Sequence, residues 1–92
     1  MEEFLKSLGI KEKGHSSDNK SYVVDIANSD TWGKYYSILS KSEELDELEE
    51  SSLLTSHNAS ITFAYESEDA NYQLNLIADY DNDAYKLVVT TI

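Results

Sequence analysis

The sequence ASITFAYE at residues 59–66 alternates apolar side chains with polar or small ones, and two similar segments follow it. Residues 72–80, YQLNLIADY, alternate in the same way, and residues 85–92, YKLVVTTI, are rich in β-branched side chains. A period of two residues is typical of a β-strand with one buried face. The polar segments 67–71 and 81–83 separate the three strands, so the sequence predicts an antiparallel meander.

The chain before this meander contains two helical patterns and one further strand. Residues 2–8 carry apolar side chains at helical spacing and are followed by Gly9, which predicts a short helix. Residues 22–27 are rich in β-formers, and residues 32–39 repeat aromatic and apolar side chains at helical spacing. The polar residues 11–20 predict a mobile loop.

The expected fold class is α+β, in one domain that spans residues 1–92. Its antiparallel β-sheet has about four strands, with helices packed on one face, in the order αβα(α)βββ. The chain contains no cysteine, which excludes disulfides and thiolate metal sites. It has no apolar run of about 18 residues, and it begins with acidic rather than basic residues, so we expect a cytoplasmic protein without a membrane span.

The net charge of −11 arises entirely in the second half of the chain. Residues 1–41 contain six acidic residues and six lysines, whereas residues 42–92 contain twelve acidic residues and only Lys86. The chain also has no arginine, the usual reader of phosphate groups and base edges. This composition argues against direct binding of nucleic acid and favours a partner with a basic protein surface.

Six carboxylates lie within SEELDELEE, residues 42–50. On a helical wheel the two leucines of this segment fall opposite the apolar face of the preceding helix, and Ser40 with Glu43 matches a capping box. The sequence therefore predicts a break near Lys41, followed by a second helix. The two leucines of this helix would attach it to the body of the protein. An outward stripe of that helix would contain Glu43, Asp46, Glu47 and Glu50, with Glu44 and Glu49 beside it.

The sequence contains no convincing catalytic or metal-binding motif. Asp79, Asp81 and Asp83 have the spacing of a calcium loop, but Ala84 stands where that loop needs glycine and Thr90 where it needs glutamate. We therefore interpret these aspartates as a solvated turn. No nucleophile with a base, metal cluster or phosphate loop is recognisable, so we expect a protein that is not an enzyme and has no cofactor.

The seven tyrosines could serve either the core or a binding surface. The helical and strand patterns place five on core-facing sides: Tyr22, Tyr36, Tyr65, Tyr72 and Tyr80. We place Tyr35 at the edge of its helix, and Tyr85 is exposed if its strand shows that face to water.

A small, acidic α+β domain without cysteine or arginine, and with carboxylates on a helix and on hairpin turns, resembles the DNA-mimic inhibitors of bacteriophages, particularly the anti-CRISPR proteins. The resemblance covers chiefly residues 42–85. It implies an inhibitor in the bacterial host cell that occupies the DNA-binding channel, or the arginines that read a protospacer-adjacent motif, of an effector such as a Cas protein. The carboxylates of residues 43–50 would replace phosphates, together with a second cluster formed by Glu68, Asp69, Asp81 and Asp83.

Other interpretations of the same residues stay open. A charge run is often simply a solvated face. An immunity protein could block the basic active site of a nuclease toxin, with tyrosines at the centre of its interface. A structural or assembly subunit could use charge for solubility and bind through a sheet edge or an apolar patch.

Overall fold

The computed structural model describes residues 2–92. Two helices, α1 (Glu2–Leu8) and α2 (Ser29–Lys41), lie on one face of a seven-stranded antiparallel sheet. The strands are β1 (His15–Ser16), β2 (Ser21–Ile26), β3 (Leu45–Glu47), β4 (Leu53–Leu54), β5 (Asn58–Glu66), β6 (Asn71–Asp79) and β7 (Ala84–Thr91), and a 3-10 turn spans Glu49–Ser51. The predicted α+β class is confirmed. Within residues 2–92, neither helix is long and apolar enough to cross a membrane.

The sheet has the strand order β1-β2-β7-β6-β5-β3, and β4 pairs with the same side of β5 as β3 does. The three last strands form the predicted meander, and β2 pairs with β7. The four long strands correspond to the predicted ones. The three short strands, of two or three residues each, extend the sheet at its two edges.

The hydrophobic core lies between the helices and the covered face of the sheet. Alternate residues of each long strand point into it, as the period of two residues requires. The apolar side chains exposed by 2% or less are Leu5, Ile10, Val24, Leu39, Ala59, Phe63, Leu74, Leu76, Ala78, Leu87 and Val89. No helix of residues 2–92 covers the other face of the sheet, and one cross-strand row there consists of Val23, Val88, Asn75 and Thr62.

Capping groups fix the ends of the two helices. Gly9 adopts a φ of 98°, and the next residue, Ile10, donates its backbone N–H to the Leu5 carbonyl at 3.0 Å. This turn ends α1 and directs Ile10 into the core. At the start of α2, the Asn28 side chain accepts a hydrogen bond from Thr31 N at 2.9 Å.

The predicted second helix is wrong. The chain does break at Lys41, where α2 ends, but it then enters the edge strand β3. The three residues of β3 pair with residues 63–65 of β5. This pairing satisfies backbone groups that would otherwise remain on an open edge of β5, and it avoids the i+3 and i+4 repulsions between carboxylates of a helix.

The segment 11–20, predicted to be a mobile loop, contains β1, which forms a hairpin with β2. The Asp18 Oδ1 atom accepts hydrogen bonds of 2.7 and 2.9 Å from two backbone N–H groups that lead into β2. These hydrogen bonds lower the pKa of Asp18. On the other side of the turn, Gly14 N donates to Tyr22 Oη at 3.0 Å.

Candidate functional site

The acidic edge, which we define as residues 43–50, forms one border of the sheet. It runs from the turn after α2, along β3, into the 3-10 turn. Leu45, which is 8% exposed, and the half-buried Leu48 attach it to the body of the protein. All six of its carboxylate side chains are exposed: Glu43, Glu44, Asp46, Glu47, Glu49 and Glu50.

The carboxylates of the acidic edge do not form the predicted single stripe. Successive side chains of a strand point to opposite faces of the sheet, and residues directly opposite each other in a pair share a face. Asp46 is paired with Ala64 on the uncovered face, whereas Glu47 is paired with Phe63 on the helix-covered face. Negative charge therefore projects from both sides of the edge.

The loop between β3 and β4 is held to β5 by hydrogen bonds that take the place of regular strand pairing. Thr62, only 2% exposed, accepts from Leu48 N at 2.8 Å through its carbonyl and donates through Oγ1 to the Ser51 carbonyl at 3.1 Å. Ser52 Oγ accepts from Thr62 N at 3.1 Å and donates to the Leu48 carbonyl at 2.9 Å. These four bonds fix the backbone that carries the last two carboxylates of the acidic edge.

The β5–β6 turn adds carboxylates at one end of the acidic edge. Because β3 begins opposite Tyr65, the chain at Glu44 and the chain at Glu66 leave the ladder at the same end of the sheet. The exposed Glu68 and Asp69 are at the tip of the turn that follows. Two of the candidate residues outside the acidic edge are therefore close to it in the fold.

The other two candidates, Asp81 and Asp83, lie in the β6–β7 turn, at the opposite end of the sheet. β6 has nine residues, which separates the two turns by about 27 Å. The four aspartates and glutamates predicted as a second cluster are thus divided between two sites. The pair Glu68 and Asp69 extends the acidic edge, whereas Asp81 and Asp83 do not.

Two aspartates of the β6–β7 turn have partners within the turn region. Asp79 Oδ2 accepts from Asn82 Nδ2 at 2.7 Å, and this hydrogen bond lowers the pKa of Asp79. Asp81 Oδ2 lies 3.1 Å from His57 Nδ1. Among residues 2–92, no group of three or more histidine, cysteine, aspartate or glutamate side chains is placed to hold a metal ion.

The acidic edge and three of the seven lysines lie at opposite borders of the sheet. Within the described part of the chain, the one contact at salt-bridge distance joins His57 Nδ1 to Asp81 Oδ2, and both side chains are mostly exposed. No lysine there is within salt-bridge distance of the acidic edge. Lys11, Lys13 and Lys20 flank β1, which forms the opposite border of the sheet.

The structure corrects the placement of Tyr35, Tyr36 and Tyr80 and decides that of Tyr85. Tyr36 and Tyr80, predicted in the core, are 38% and 36% exposed, whereas Tyr35 and Tyr85 are buried. On α2 the side chains that face the sheet are Trp32, Tyr35 and Leu39, so the buried face is centred away from Tyr36. Of the other tyrosines predicted to face the core, Tyr22 is buried, and Tyr65 and Tyr72 are partly buried against the core.

The two exposed tyrosines belong to a feature that the sequence did not reveal, an aromatic row on the helix-covered face. The row consists, in spatial order, of Tyr36, Trp32, Tyr80 and Tyr85, with successive ring centroids 6.2, 6.3 and 6.2 Å apart. At one end, Tyr36 Oη donates to Glu47 Oε1 at 3.5 Å, so the row touches the acidic edge. At the other end, burial and then the nearby Asp83 carboxylate raise the pKa of Tyr85. The spacing of Trp32 and Tyr36, i and i+4 on a helix, was its one sequence signal.

Comparison of the chain with protein-family models, with curated proteins and with solved structures gave no match.

Proposed function

We propose that this protein is a non-enzymatic DNA mimic, of the anti-CRISPR type, that inhibits a bacterial defence nuclease by occupying its DNA-binding surface. The observation that carries the proposal is the acidic edge, with six exposed carboxylates in eight residues and no lysine of the described chain within salt-bridge distance of them. A cationic groove would attract such an edge over about 10 Å at 0.1 M salt.

The arrangement of the carboxylates supports a partner surface that binds duplex DNA. Within β3, Asp46 points to the uncovered face and Glu47 to the helix-covered face, so negative charge lies on both sides of the edge. A protein groove that contacts both backbones of a duplex could therefore contact both sides of this edge.

The position of the lysines supports a defined orientation on the partner. Three of the seven, Lys11, Lys13 and Lys20, flank β1 at the far border of the sheet, so a basic surface is attracted more strongly to the acidic edge than to that border. Electrostatic asymmetry of this kind raises the association rate and disfavours wrong orientations.

The test combines capture of a partner from bacterial lysates with competition by duplex DNA. In the edge variant, Asp46, Glu47 and Glu50 are changed to lysine. In the matched control, Glu3, Glu12 and Asp30, which are also exposed, are changed to lysine. Both variants raise the net charge of −11 by the same six units, because each replacement adds two.

We expect the wild type and the control to capture the same DNA-binding protein, and the edge variant to lose it. Duplex DNA in excess should release the partner, and rising salt should weaken the complex steeply. Purified partner should then lose DNA binding when the wild-type protein is added. Capture that is unaffected by DNA, or equal for the edge variant and the control, would contradict DNA mimicry.

A further inference from the structure

The aromatic row is well placed to bind a cationic side chain. Tyr36 and Tyr80 expose more than a third of their surface although they pack beside the buried Trp32. The faces of such rings attract ammonium and guanidinium groups, and arginine stacks on them more often than lysine. The row thus offers a chemistry that carboxylates alone do not provide.

A carboxylate next to the row completes a site for a guanidinium group. Glu47 accepts a hydrogen bond from Tyr36 Oη and belongs to the acidic edge, and no lysine of the described chain is within salt-bridge distance of it. A guanidinium can stack on a ring with its plane while its N–H groups donate to a carboxylate at the ring's edge. Tyr36 and Glu47 supply these two groups side by side.

The sheet beneath the row is shaped by small residues. Ala59 and Ala78 lie opposite each other on the helix-covered face, with Leu54 beyond one and Tyr85 beyond the other. Both alanines are buried, whereas Leu54 is 72% exposed at the border of the sheet. The same face therefore presents exposed rings, an exposed leucine and the Glu47 carboxylate, and tyrosine is enriched at the centres of protein interfaces.

We propose that Tyr36 and Glu47 form a site for an arginine side chain of the protein partner, next to the charges of the acidic edge, and that Tyr80, beyond Trp32 in the row, offers a second ring to another cationic side chain of that partner. This inference rests on the proposed function in one respect, that the partner is a basic protein. It deepens that function by assigning two contributions to partner binding, one from each surface. The acidic edge attracts any cationic surface, whereas the aromatic row selects arginine over lysine.

The test uses two short peptides as probes, one that alternates arginine with serine and one that alternates lysine with serine. Trp32 is the single tryptophan of the chain and stacks on Tyr36, so its fluorescence reports binding at the row. At low ionic strength we expect both peptides to bind, with the arginine peptide tighter by about two- to five-fold, the effect of about 0.5–1 kcal/mol for an exposed cation–π contact.

Two sets of variants assign the two contributions. Tyr36→Leu and Tyr80→Leu should each reduce the preference for arginine, whereas Tyr65→Leu, the same change in the separate cluster of Phe4, Tyr65 and Tyr72, should preserve it. Changing Asp46 and Glu50 to lysine should weaken the binding of both peptides by a similar factor and leave the ratio of the two affinities unchanged. Circular dichroism establishes that each variant is folded, and Tyr80→Leu provides the test if Tyr36→Leu unfolds the chain.

Each outcome decides between the two proposals. Equal affinity for both peptides, or a preference for arginine that survives both tyrosine variants, overturns the arginine site and leaves the acidic edge as the proposed binding surface. If neither peptide binds, both the arginine site and the acidic edge as a binding surface are overturned. A preference for arginine that depends on the row supports the site even if the lysate capture shows no competition with DNA, in which case the partner is basic but is not held through its DNA-binding surface.

Discussion

Replacing Ser52 by alanine is expected to loosen the loop that carries the end of the acidic edge. The hydroxyl of Ser52 accepts from Thr62 N at 3.1 Å and donates to the Leu48 carbonyl at 2.9 Å. Thr62 is 2% exposed, so its N–H group has little access to water after the hydroxyl is removed. A buried donor left without an acceptor costs about 1–3 kcal/mol. Because Ser52 itself is only partly buried, we expect a loss of about 1–2 kcal/mol.

Urea unfolding and amide hydrogen exchange measure this effect. The loss should lower the melting temperature by about 4–8 °C for each kcal/mol, as is typical of a domain of this size. The Thr62 amide should lose more protection from exchange than the global change in stability explains. Ser56→Ala, at an exposed site in the next turn, is the matched control and should change stability by less than about 0.5 kcal/mol. If Ser52→Ala were no more destabilising than this control, and the Thr62 amide remained protected, the loop would not depend on these bonds.

Two further predictions concern the glycines and the acid limb of stability. Gly33→Ala should raise the free energy of unfolding by about 0.5–1 kcal/mol, because an added Cβ in α2 meets no atom within 4 Å. Gly14→Ala should lower the free energy of unfolding, because its Cβ would clash with the Val23 carbonyl. Urea unfolding compares both variants with the wild type. Asp18 has a lowered pKa in the folded protein, so its contribution to stability is present above its unfolded pKa near 3.8 and is lost as the pH falls through the folded value. Thermal unfolding of Asp18→Asn should therefore show a flatter decline below about pH 4, and an unchanged slope would contradict this role of the Asp18 turn.

The parts of the fold that local patterns determine could be predicted. The meander follows from alternation over residues 59–92, and the end of α2 follows from the mismatch between its apolar face and that of the next segment. Tyr35 and Tyr36 were misplaced because both lie within about 60° of Trp32 on a helical wheel, and only the packing on the sheet decides which of them is buried.

The conformation of the acidic edge depends on contacts that are distant in sequence. Leu45 and Leu48 have a spacing that suits a helix, and acidic residues are poor strand formers. What makes β3 a strand is the free side of β5, which the meander leaves open. The separation of Glu68 and Asp69 from Asp81 and Asp83 was, by contrast, implicit in the predicted meander, since consecutive hairpin turns lie at opposite ends of a sheet.

The edge position of the carboxylates has two physical consequences that act together. The outer side of β3 presents unpaired backbone groups, to which another strand could add, and charged side chains on an edge strand oppose such pairing. A solvated, protective edge needs few charges for this purpose. The six carboxylates here extend beyond β3 into both flanking turns, and the loop after it is fixed by the Ser52 and Thr62 hydrogen bonds rather than left free. Repulsion between copies of the chain and the proposed attraction to a basic partner would therefore arise from the same side chains, and only the second would use the fixed loop and the adjacent aromatic row.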